Sequence, residues 1–94
     1  MTEGQIQKQA IELLKLSGYL VFRLNAGRQS NKVRPCPPGT PDLLAVKNGR
    51  VLWLEIKKPG EKLRDTQQVM IADLIHHGQE VAVVSGILDL QEMI

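Results

Sequence analysis

The sequence predicts one α/β domain with a mixed β-sheet flanked by helices, in the order α-β-β-β-α-β-α. Three observations lead there. Two helix-period segments (residues 3–17 and 65–77) stand apart from β-rich runs at 19–24, 42–57 and 80–84. Asn48-Gly49, flanked by Val- and Leu-rich runs, is the strongest short-range signal for a two-residue type I′ hairpin. The last strand follows a helix, so it returns parallel to its neighbour through a crossover.

The 94 residues suit a single domain spanning 1–94, and 43% hydrophobic content suits a globular core. With one Trp, one Tyr and one Phe, that core is mainly aliphatic. A net charge of +2 is too mild to indicate a nucleic-acid partner, so the placement of charge must carry that case. Cys36 is the single cysteine, which excludes an intramolecular disulfide and a cysteine-based zinc site. No signal peptide and no membrane-length apolar run are evident, and the expected location is the cytoplasm.

In the first helix Ile6, Ala10, Leu13, Leu14 and Ser17 share a stripe, Thr2 is the expected N-cap, and Gly18 ends it. Glu12 points away to solvent. Glu3 and Gln7, at i and i+4, turn towards the body of the domain, with a frayed, exposed Glu3 as the alternative. A strand over 19–24 is followed by a long connection, 25–39, with three prolines. That connection carries Arg28, Lys32 and Arg34 and no acid. Loops this long are usually functional, and an acid-free basic loop suits phosphate contact or plain solvation.

The hairpin register pairs Lys47 with Arg50, Val46 with Val51, Leu44 with Trp53, and so Asp42 with Glu55. Opposed strand residues point to one face, and Lys57, two beyond Glu55, shares it. Opposed like charges are destabilising unless compensated. The two compensators open to this sequence are a hard divalent cation and Lys57 acting as a salt-bridge partner. Pro59-Gly60 breaks the second strand. Asp65 or Thr66 is expected to cap the second helix, whose apolar stripe is Leu63, Met70, Ile71, Leu74 and Ile75. Gln67 falls inside that stripe, either as a hydrogen-bonded core residue or reaching the carboxylates. The final helix is expected from Ser85 to about Met93.

Pro41-Asp42, a hairpin-length gap and Glu55-Ile56-Lys57 resemble the PD-(D/E)xK nuclease superfamily. Gly39-Thr40-Pro41-Asp42-Leu43 resembles the Gly-x-Pro-Asp-Leu signature of its virus-type replication and repair (VRR-NUC) domains. The helix after the lysine carries Gln67, as that family's does. The resemblance covers nearly the whole chain, as a minimal stand-alone form found in phages and bacteria. It implies a restriction-endonuclease-like fold and a Mg²⁺- or Mn²⁺-dependent endonuclease hydrolysing DNA phosphodiester bonds. Asp42, Glu55 and the backbone carbonyl of Ile56 would hold the metal, with Glu3 or Gln7 completing the shell. Lys57 would orient the attacking water, and Gln67 would join the catalytic set. Arg23, Arg28, Lys32, Arg34, Lys58, Lys62 and Arg64 would contact phosphates. The implied substrate is branched DNA, above all four-way (Holliday) junctions cut by a homodimer, with flaps or simple duplex as alternatives. A DNA-binding or assembly module without catalysis is the contrasting class. A bacterial cytosol or a phage-infected host is the implied setting.

Overall fold

A computed structural model describes residues 1–24 and 36–94. The elements are helix α1 (Glu3–Leu16), strands β1 (Leu20–Arg23), β2 (Leu43–Lys47) and β3 (Arg50–Ile56), helix α2 (Asp65–His76), strand β4 (Glu80–Val84) and helix α3 (Ile87–Gln91). This is the α-β-β-β-α-β-α order. The four strands form one sheet in the order β1-β2-β3-β4. β1, β2 and β3 run antiparallel and β4 is parallel to β3, so the sheet is mixed as expected.

Local chemistry explains most boundaries. Thr2 Oγ1 accepts the Gln5 N–H at 3.1 Å and Gln5 Oε1 accepts the Thr2 N–H at 2.8 Å, a reciprocal capping box. Gly18, at φ 92°, stops α1 after Ser17. Asn48 (φ 49°) and Gly49 (φ 83°) both take the left-handed conformation of a type I′ turn. The turn sets the expected register, from Lys47 opposite Arg50 to Leu43 opposite Leu54.

Side-chain alternation divides the sheet into two unlike faces. Leu43, Ala45, Leu52, Leu54, Ile56, Ala82 and Val84 lie on one, buried together with Ile6, Ala10 and Leu14 of α1 and Leu90 of α3. On the other face Leu44, Val46, Val51 and Trp53 are only half-buried, and Leu20 and Phe22 are 61% and 45% exposed. The core is therefore one-sided.

Three boundary expectations need correction. β1 is shorter than 19–24: Tyr19 is buried ahead of it, and Leu24 follows it, donating its N–H to the Asp42 carbonyl at 2.9 Å. The N-cap of α2 is Arg64, not Asp65 or Thr66, because the Gln67 side chain accepts the Arg64 N–H at 2.8 Å and does the capping itself. α3 starts at Ile87 after an extended Gly86, while Ser85 instead donates its N–H to Asp89 Oδ2 at 2.9 Å. The expected stripe of α2 is also incompletely covered: Met70, Ile71 and Leu74 are half-buried and Ile75 is exposed.

Candidate active site

The hairpin delivers Asp42 and Glu55 to one end of the sheet. β2 begins at Leu43, so Asp42 lies one residue before it, where its carbonyl is tied to Leu24 just past the end of β1. Its carboxylate Oδ2 accepts the Ile56 N–H at 2.8 Å, which draws the side chain across to β3. Continuing the register past Leu43 and Leu54 sets Asp42 beside Glu55. Pro41 is fully buried just upstream and holds that approach rigidly.

Glu55 is 2% exposed, an unusual position for a carboxyl group. Oε2 receives the Gln67 amide N–H at a long 3.5 Å, and Oε1 is buried with no hydrogen-bond donor among the described residues. Burial first, and then contact with the Asp42 carboxyl, push the Glu55 carboxyl up to about 8. Two facing carboxyl groups bond only when one keeps a proton. As carboxylates they need a cation between them.

Lys57 is buried on the same face, and its backbone N–H is anchored on the Val84 carbonyl at 3.0 Å. Its ammonium pairs with Glu61 Oε1 at 3.7 Å. No ion pair within 4.0 Å joins it to Asp42 or Glu55. The reading of Lys57 as the salt-bridge partner of the two carboxylates is therefore not the arrangement present.

Gln67 reconciles its two sequence readings. It is buried, its carbonyl oxygen caps α2, and its amide nitrogen reaches Glu55. One side chain thus ties the helix start to the buried carboxyl. We expect Gln67→Ala to cost about 1–2 kcal/mol through loss of the cap and a buried bond, read by urea unfolding. A loss below a few tenths would contradict this double role.

Glu3, at the start of α1, is half-buried and near enough to act electrostatically on Glu55. Its carboxyl is raised chiefly by a hydrogen bond with Glu61, then by burial, with Asp42 a smaller contributor. Gln7 lines a groove on the α1 surface with Lys8, Lys15 and Arg23. Lys58, Lys62 and Arg64 are exposed on the connector after β3. Arg28, Lys32 and Arg34 lie outside the described residues. Glu61 was not singled out from sequence, because an i+4 spacing across the Pro59-Gly60 turn is no signal of contact outside a helix.

Among the described residues no three His, Cys, Asp or Glu side chains converge as a ready metal cluster. The orphaned Glu55 oxygen beside Asp42 nevertheless fits a cation, because a divalent ion removes both the unmet bond and the like-charge conflict.

The sequence matches the VRR-NUC domain family over residues 1–87. A solved structure described as a VRR_NUC domain is similar at 26% identity and a TM-score of 0.78, covering 97% of this chain and 91% of that one. No curated protein matches.

Proposed function

The chain belongs to the VRR-NUC domain family, and from that premise we propose that it is a Mg²⁺- or Mn²⁺-dependent endonuclease that hydrolyses DNA phosphodiester bonds. The observation carrying the proposal is the buried Glu55 carboxyl, with one oxygen lacking a donor among the described residues, beside Asp42 and a buried lysine that pairs with Glu61 instead. A site built only for stability would pair those charges.

Asp42 and Glu55 are the side chains that would hold the cation, with the Ile56 carbonyl between the two motif side chains. Glu3 is favoured over Gln7 to complete the set, as it is a carboxyl near Glu55 whereas Gln7 opens onto the α1 groove. A bound divalent ion supplies Lewis acidity towards a phosphate oxygen and lowers the pKa of a water. The Asp42 carboxylate is oriented by the Ile56 N–H. Gln67 holds Glu55 in place from α2. The Lys57 ammonium, fixed by burial, stabilises negative charge developing on the phosphate and orients the attacking water. Arg23, Lys58, Lys62 and Arg64, with the basic 25–39 connection, supply salt-sensitive phosphate contacts without base readout.

The substrate proposed is branched DNA, with four-way junctions cut symmetrically by a homodimer. The half-covered sheet face bearing Leu20 and Phe22 supports a second copy, since exposed contiguous apolar surface marks an interface. The proposed setting is the cytosol of a bacterium or of a phage-infected cell.

The test is cleavage of labelled four-way junction, flap and linear duplex, with Mg²⁺ and with EDTA. Cutting that needs the metal and falls at least about 100-fold in Asp42→Asn and Lys57→Ala is expected. Metal-dependent cutting that survives both substitutions sinks the site assignment. Binding of DNA without any cutting makes the protein a non-catalytic module. Cuts confined to one arm of a flap remove the junction proposal.

A further inference from the structure

The geometry points to Glu61 as a positioning residue that holds the Lys57 ammonium off the Asp42–Glu55 pair and so keeps the space between the two carboxyl groups open to a cation. This inference rests on the nuclease reading and deepens it.

Lys57 poses a physical problem. Its side chain is 8% exposed, and it shares a sheet face with Glu55 and Asp42. Attraction between unlike charges strengthens as water is excluded. With nothing else near, a buried ammonium beside two carboxyl groups settles between them. There it would take the place a divalent ion needs. The structure shows another outcome: the ammonium is drawn to Glu61 Oε1 at 3.7 Å.

Glu61 is itself held on several sides. Pro59-Gly60 turns the chain at the end of β3, with Gly60 at φ 79°, and the Glu61 N–H closes the turn on the Lys58 carbonyl at 3.0 Å. Its second oxygen lies 4.0 Å from Lys58 Nζ. Its carboxylate also meets Glu3 across the gap to α1. The connector after β3 thus places the Glu61 carboxylate within ion-pair reach of the Lys57 ammonium. A cation held by Asp42 and Glu55 would repel the ammonium towards that same partner, so Glu61 serves both states.

Calorimetric Mn²⁺ titration of the metal-free protein tests this directly. Glu61→Gln is expected to weaken Mn²⁺ binding about 5–10-fold, because Lys57 relaxes onto the carboxyl pair. Removing the lysine in the same background, as Glu61→Gln with Lys57→Met, is expected to restore affinity to that of Lys57→Met alone. Glu61→Asp, which keeps the charge on a shorter arm, is expected to fall between Glu61→Gln and the parent. In cleavage assays at saturating Mn²⁺, Glu61→Gln should lower kcat with little change in KM.

Equal Mn²⁺ affinity for the parent and Glu61→Gln overturns the inference. So does the same weakening with and without Lys57, since Glu61 would then act only as one more negative charge. If the parent protein binds no Mn²⁺, the metal-dependent nuclease reading itself falls. Thermal melting of each variant identifies any that has lost its fold, and Glu61→Asp then carries the comparison.

Discussion

Glu55→Gln is expected to stabilise the metal-free protein at pH 8 and above while abolishing metal-dependent cleavage. In the folded chain the Glu55 carboxyl is raised from an ordinary 4.5 to about 8. Between those values the native state holds a proton that the unfolded chain has released. Stability therefore falls as pH rises through that window and levels off above it. Below about pH 4.5 both states are protonated and the penalty vanishes. Above pH 8 it is on the order of 3–5 kcal/mol, a large share of the stability of a small domain.

Glutamine keeps the shape, cannot ionise, and can donate to Asp42. Urea unfolding in EDTA at pH 5 and pH 9 should show the parent losing stability between the two and Glu55→Gln losing much less. Parallel losses would remove the buried-charge account. Mn²⁺ should reverse the alkaline loss in the parent and leave the variant unmoved. In the parent near pH 7 it should also displace about one proton, seen as a dependence of calorimetric heat on buffer.

Gly39→Ala is the second large effect expected, and its cause is steric. Gly39 has φ 85°, and a Cβ there would sit 2.2 Å from the Thr66 carbonyl oxygen and 2.6 Å from the Thr66 carbonyl carbon. Both obstacles are backbone in the first turn of α2. Either the 36–42 approach or the helix must shift, and Gln67 moves with the helix away from Glu55. A destabilisation of about 3 kcal/mol or more is expected, with cleavage reduced further than stability explains.

Gly60→Ala is the control. Its φ of 79° is similarly unfavourable, but nothing lies within 4 Å of the added atom, so only about 1 kcal/mol is expected. Equal losses in the two proteins, measured by urea unfolding, would show that the contact with Thr66 does not matter. The glycine of the Gly-Thr-Pro-Asp segment therefore has a reason that no local turn preference supplies. It lets the loop that carries Asp42 lie against the helix that carries Gln67.

That distinction separates what could be read in the chain from what could not. Thr2, Gly18, Asn48 and Gly49 act on their immediate neighbours through capping and left-handed turns, so α1 and the hairpin were legible. The hairpin register then carried Asp42, Glu55 and Lys57 to one end of the sheet, because a two-residue turn leaves one pairing open. The α2 cap was not legible. Asp65 and Thr66 have the better local chemistry, yet Gln67 caps the helix while its other end reaches Glu55 on a different element. Glu61 lies in a connector without hydrophobic period, and only the fold shows that its carboxylate meets both Lys57 and Glu3.

By itself, the sequence determined the element order, the hairpin and the identity of the paired carboxyls, since short-range backbone preferences decide each of these. Only the tertiary structure decided the state of that pair. Burial raises Glu55, Lys57 pairs with Glu61, and one Glu55 oxygen has no donor among the described residues. Desolvation and through-space charge depend on which distant segments pack together, and no spacing along the chain encodes them.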